Sequence, residues 1–546
     1  MIESLIALWD RLDYRALLVI KCAVAVGATL LLTWDFSSAA GVRFKRFQPL
    51  LLGGLGVIAL ACWWELGHFH FPTYLQVHEH YHYYLGAKYF RELEYTRLYQ
   101  CTAVADVEAG LRPQVAKRWI RDLSTNRLTP GAAIISNPGS CTSHFTPARW
   151  EMFKRDVAWF RSHRTPELWS EALVDHGYNG TPVWAVAATL LIPDRPANDR
   201  DIFLLALLDP LLILTMWAFA WWAFGWQAMC IGMIWWGTNN LATYLFTGGA
   251  FLRADWLALS VIGVCLVKRG RPALGGFALT YAALLRIFPF LIIVGLGLKA
   301  AVRMWRQRSY YLEPAHRAFA MGGATAALVL LALSFIVVGK GISGGVQAWE
   351  GFVANSQKHL ATPLINNMGL KTVLSFSPST RSAVIGRFWL DTPWDIWSEA
   401  RHRVFEQRQP LYWFLVVAFV AVLARIVAEQ EDWVTLVLGA TLVPVATELT
   451  CYYYSVFLLF AFLWRKWEWS GTALCALSAS SLLIPVIFRV ADDAFTAQSV
   501  AALLYVATVT ATIVLASGAS ETSLSGIRTD NANAGYQKSA QTERSV

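Results

Sequence analysis

Charge is scarce in this chain. Only 15% of its 546 residues are Asp, Glu, Lys or Arg, against 56% hydrophobic, whereas soluble domains run nearer 25% charged. With a positive mean hydropathy, that scarcity excludes an ordinary soluble protein. Also lacking is a short apolar segment followed by a small-residue cleavage site, so the first apolar run, about 16–34, is expected to stay as a helix. There is no HExxH pattern and no convincing internal repeat. The net charge of +9 (46 Lys plus Arg, 37 Asp plus Glu) calls for no nucleic acid, because the basic residues gather at the ends of apolar runs. There they mark cytoplasmic loops.

What is present is apolar length. Many runs reach the roughly 17–25 residues that cross a bilayer as a helix, and the fold class expected is an all-α polytopic membrane protein. We expect 12 or 13 helices, some short or re-entrant, and a multi-pass location in the inner (cytoplasmic) membrane. Residues 1–66 read as two helices, 16–34 and 48–66, joined by the basic Arg43, Lys45 and Arg46. Those cations place the joining loop in the cytoplasm and the amino terminus outside. Residues 67–182 then form an extracytoplasmic subdomain, and 183–338 a transmembrane core with spans near 203–223, 227–247, 254–267 and 318–338. A second external loop covers 339–410, further helices fill 411–517, and 518–546 reads as a disordered tail. The acidic turn Glu429, Glu431 and Asp432 falls at an expected cytoplasmic end, although acidic residues weigh little in orientation.

Residues 273–298 have basic groups on both sides, so both ends look cytoplasmic. About 26 residues are too few for two full crossings at 1.5 Å each. Two short helices turning at Arg286-Ile-Phe-Pro289 satisfy both constraints, since proline breaks a helix. Such broken backbone survives at membrane depth only in protein or beside a watery cavity. Arg286 would face that cavity.

Six of the eight cysteines (22, 62, 230, 265, 451 and 475) lie in or beside apolar runs and read as small buried hydrophobes. Cys101 and Cys141 fall in the long polar segment, where an oxidising location could join them. That segment opens with Gln76–Tyr99, QVHEHYHYYLGAKYFRELEYTRLY. If 78–90 is helical, Glu79, His82, Tyr83 and Gly86 share a face. His78 and His82, spaced i, i+4 among histidines that include His68, His70 and His80, could hold a divalent ion with Glu79. No second carboxylate motif backs that reading, and no metal is expected.

Three stretches together resemble the GT-C superfamily of membrane glycosyltransferases, and most closely glycosyltransferase family 87, which uses polyprenyl-phosphate-mannose. They are Glu79, Tyr83 and Leu98-Tyr99 at the start of the first loop; KRGRPALGG through LLRIFP; and the second loop with Trp349, Asn355, Asn366 and Asn367. The family usually places Asp where this chain has Glu79 between two histidines, which leaves another acid, such as Asp106, open as the base.

The resemblance implies a GT-C-like fold and a metal-free, inverting hexosyltransferase. It would move mannose from a polyprenyl-phosphate donor to an envelope glycolipid or polysaccharide. The acceptor hydroxyl needs a base within hydrogen-bond reach, and Glu79 is the candidate. A carboxylate at a helix start is also favourable in its own right. For the donor phosphate, Arg286 is first choice, because an ionisable residue at membrane depth suggests function and guanidinium suits phosphate. The plainer reading is an arginine reaching to lipid headgroups. Arg253 and Lys371 are further cations, and His82, Tyr83, Asn366, Asn367 and Glu448 are candidate sugar or acceptor contacts. The Tyr452–Tyr454 run beside Glu448 also suits an interfacial aromatic belt. Asp209-Pro210 reads as a kink rather than a catalyst. The rivals are a flippase for lipid-linked sugar, which would also want a broken helix and buried cation, and a noncatalytic envelope-assembly protein.

Overall fold

The computed structural model describes residues 13–36, 42–68, 74–242, 249–385 and 395–542. His70 lies outside them. Six helices among the described residues are long and apolar enough to cross a membrane: Tyr14–Trp34, Asp199–Phe224, Pro314–Val338, Asp395–Val427, Glu468–Ile487 and Ala491–Ala516. Large apolar side chains such as Leu328, Phe414, Val417 and Leu515 project from them unburied, as a lipid-facing surface requires. This is a helical, multi-pass membrane protein. Shorter apolar helices, including Pro182–Leu191 and Cys451–Arg465, fill the space between the long ones.

The long polar segment forms short helices and one antiparallel hairpin, Trp119–Asp122 against Arg127–Pro130. Thr146-Pro147, Thr165-Pro166 and Thr181-Pro182 each start a helix there. The threonine hydroxyl accepts the N–H three residues on, and proline takes a first-turn position whose missing donor costs nothing. Tyr81, Phe153, Phe160 and Trp169 fill the core. Cys101 and Cys141 are joined in a disulfide between buried helical positions. Asp106 is fully buried and fully used: Arg118 at 2.8 Å, Arg161 at 2.5 Å and the Trp169 indole at 2.9 Å surround it. It is a structural carboxylate, which removes it as an alternative base.

The chain breaks where proline and the flanking charges indicated. Helix Pro272–Arg286 ends at Arg286 and helix Phe290–Gln307 begins after Pro289. Between them the Phe288 N–H donates to the Arg286 carbonyl, a γ-turn centred on Ile287 at φ 37° and ψ −57°. The second helix runs beyond 298. At 1.5 Å per residue the two are about 22 and 27 Å long, still under the roughly 30 Å hydrocarbon core. Their glycines let backbones touch: a Cβ on Gly276 would stand 2.0 Å from the Phe319 carbonyl, and one on Gly295 2.0 Å from that of Thr435. Small residues at such crossings are how membrane helices approach closely.

The acidic turn sits with the basic ends. Glu431 meets Lys268 at 3.2 Å, Asp432 meets Lys299 at 2.5 Å, and Glu429 pairs with Arg306. One charged layer therefore gathers chain ends that hydropathy alone left separate.

Helix Asp395–Val427 begins before the expected 411, because 395–410 lacks glycine and tolerates Pro410 within the helix. The last apolar helix covers Ala491–Ala516.

Candidate functional site

Glu79 lies in the first turn of helix Val77–Lys88 and is buried. Its Oε2 stands 2.8 Å from Nε of Arg253, and both side chains are about nine-tenths buried. That oxygen accepts no aligned hydrogen bond among the described residues, so the pair is a contact of charges that leaves lone-pair capacity. Arg253 comes from the bend before helix Asp255–Lys268. Asp209, in helix Leu208–Phe224, fixes that bend: its Oδ1 accepts the Arg253 and Ala254 N–H groups at 2.9 and 3.1 Å. Asp209 is thus a backbone latch, a role its Asp-Pro context did not suggest.

Tyr83, one turn after Glu79, connects the two cations. The Arg253 guanidinium lies 4.6 Å from its ring centre and that of Arg286 lies 5.8 Å from it, both within cation–π range. Its hydroxyl donates to Asn179 Oδ1. Arg286 is buried, donates through Nη1 to the Leu285 carbonyl at 3.3 Å, and keeps Nη2 without a partner among the described residues. A buried guanidinium N–H left unmatched is costly, and an anion would satisfy it.

Arg253 and Arg286 both line one cavity of about 70 Å³. Six of its other lining residues are tryptophan or tyrosine, and Asp209 is among the rest. Trp63 and Trp236 pack at 4.3 Å, and Tyr452 and Tyr453 at 4.5 Å. The cavity therefore carries two cations and a wall rich in aromatic side chains, while Glu79 reaches it only through its pairing with Arg253.

Other candidates lie elsewhere. Lys371 and Glu448 bind each other at 3.0 Å, with Arg401 at 2.8 Å and the Thr372 hydroxyl at 3.2 Å on the same carboxylate. They form a closed cluster and do not line the arginine cavity, so Lys371 is spent on Glu448 rather than available beside Arg286. Asn366 and Asn367 support a two-residue bridge: Asn367–Met368 pairs with Leu449–Thr450, and the Asn366 carbonyl accepts from Cys451. Both asparagines are positioned to brace backbone.

His82 points into the subdomain. Its Nδ1 donates to the His78 carbonyl at 2.9 Å and its Nε2 accepts from the Tyr99 hydroxyl at 2.7 Å. His78 Nε2 meets Asp175 at 3.0 Å. Burial pushes the His82 imidazole down to about 3. Burial alone would raise the Asp175 carboxyl, but the His78 hydrogen bond and neighbouring imidazoles outweigh it and hold it below the usual range. Ligand atoms of His78, His82 and Asp175 lie within 4.8 Å of one another, the one such group among the described residues. With both His82 nitrogens already hydrogen-bonded, an ion would have to displace internal partners, and Glu79 is not in the group.

Sequence reasoning ranked Arg253 below Arg286 and missed its pairing with Glu79, since nothing local brings helix starts so distant in the chain together. No family model matches this chain, and neither a curated protein nor a solved structure does.

Proposed function

We propose that this chain is a polyprenyl-phosphate-dependent hexosyltransferase of the inner (cytoplasmic) membrane, moving a sugar such as mannose to an extracytoplasmic envelope acceptor. The observation that carries the reading is the pair of buried arginines on one aromatic cavity, with Glu79 against the first of them. Two guanidiniums suit the oxygens of a leaving phosphate, and the tryptophan and tyrosine walls suit an isoprenoid chain. In the reaction the acceptor hydroxyl oxygen bonds to the anomeric carbon as the carbon–oxygen bond to phosphate breaks. Glu79 takes the hydroxyl proton, and the electron pair leaves on the phosphate, whose charge Arg253 and Arg286 offset. One displacement inverts the anomeric configuration.

The donor half can be tested by itself. Purified protein in detergent should retain radiolabelled polyprenyl-phosphate-mannose, and Arg286→Ala should weaken retention about tenfold or more, the loss of a charge-assisted contact. Glu79→Gln should still bind. Equal retention by Arg286→Ala would remove that residue from the phosphate site.

A further inference from the structure

A second cavity, of about 400 Å³, lies between the polar segment and helix Ile342–Leu360. That falls within the roughly 300–1,000 Å³ range of small-molecule sites. The helix presents Gly344, Ala348, Gly351 and Ala354 along one face, and the small side chains leave the space open. Three cations, Arg91, Lys340 and Lys358, line it. Arg91 anchors the rim through the Val338 carbonyl at 3.2 Å, and Lys358 donates to the Leu123 carbonyl. The single acid there, Glu94, is already met by Arg97 at 3.1 Å and the Gln347 amide at 3.0 Å. The field inside is therefore positive.

Asn355 makes the cavity more than a gap. It is only 5% exposed and lines the cavity, so its amide can meet a ligand there. Thr96, Ser124, Phe90 and Tyr95 also line the cavity. Hydroxyl and amide groups beside aromatic rings match a polyhydroxylated ring with one polar rim and one apolar face.

We propose that this cavity binds an anionic saccharide, its hydroxyls on Asn355 and its acid group on Lys340 and Lys358. The Tyr95 ring stacks on Tyr178 at 5.6 Å, and Tyr178 meets the edge of Tyr83 at 5.8 Å. The cavity therefore abuts the Glu79 site through two rings. That it holds the charged stretch of the acceptor rests on the transferase reading; saccharide binding does not.

Titrating the full-length protein in detergent with trigalacturonate and with neutral maltotriose tests this. Wild type should bind trigalacturonate and not maltotriose. Lys340→Gln/Lys358→Gln should weaken binding about tenfold or more, Lys340→Arg should retain it, and Ala354→Trp should abolish it by filling the space. Thermal unfolding matching wild type confirms that the variants are folded. No binding, equal binding of maltotriose, or loss of trigalacturonate to phosphatidylglycerol in nanodiscs (a lipid-headgroup site) would each overturn the proposal. Glu79→Gln should bind trigalacturonate as wild type does. A failed transferase reading then shows as binding without transfer, and a failed saccharide site as transfer without binding.

Discussion

Replacing Cys101 and Cys141 by alanine should cost about 4 kcal/mol of subdomain stability. The disulfide closes a loop of 40 residues, and loop-closure entropy for that length gives about 4 kcal/mol at 25 °C. Both positions are fully buried, so removing the sulfurs also loosens packing beside helix Leu98–Asp106. With a urea slope of about 1–3 kcal/mol per molar for small domains, the midpoint should fall by about 2 M. Urea unfolding followed by tryptophan fluorescence reads this directly, since Trp150 and Trp169 sit in the subdomain core. The bond also requires an oxidising compartment, so both thiols should resist alkylation in unreduced protein taken from membranes. Ready alkylation of both, or an unchanged midpoint in the double variant, would refute the reasoning.

Gly276→Ala should destabilise the protein by about 1–3 kcal/mol, the usual cost of overpacking, because its Cβ would press on the Phe319 carbonyl. Lower yield of folded protein and an earlier thermal transition would show it, and a silent substitution would contradict the close approach. Acidification should weaken the subdomain. Burial pushes His80 and His176 down to about 4, and His82 and His359 to about 3, while their unfolded values stay near 6.5. The unfolded chain therefore binds more protons below that point. The stability is complete above about pH 6.5 and is lost as pH falls towards the folded values, by up to about 1.4 kcal/mol per pH unit per histidine. The His176 and His359 rings, 5.7 Å apart, join the subdomain to helix Ile342–Leu360, so that junction should open first. Denaturant midpoints that stay level between pH 6.5 and 5 would exclude this.

Local signals in the chain predicted local features well. Apolar length marked some of the spans, since six described helices are long enough to cross a membrane against the 12 or 13 helices expected, and two basic flanks with Pro289 located the break after Arg286. A shared polar segment brought Cys101 and Cys141 into consideration, and helical spacing put Tyr83 beside Glu79. What stayed hidden was pairing between distant segments. Nothing near Arg253 shows that Glu79 is its partner or that Asp209 holds its backbone, because packing of three separate helices decides both. Lys371 and Glu448 looked like independent site residues for the same reason, and the structure closes them on each other. Charge patterns likewise could not tell the buried, arginine-matched Asp106 from a reactive acid.

The central claim is that Glu79 and the arginine cavity transfer sugar from a polyprenyl-phosphate donor. Purified protein given radiolabelled polyprenyl-phosphate-mannose and a membrane extract tests it most directly. Wild type should transfer label to an extract component. Glu79→Gln should lose about 10²–10⁴-fold, as for a general base, and Arg286→Ala about 10²–10³-fold, as for a group that stabilises developing charge. Equal transfer by all three proteins, or none by wild type from any polyprenyl-phosphate sugar, would contradict it.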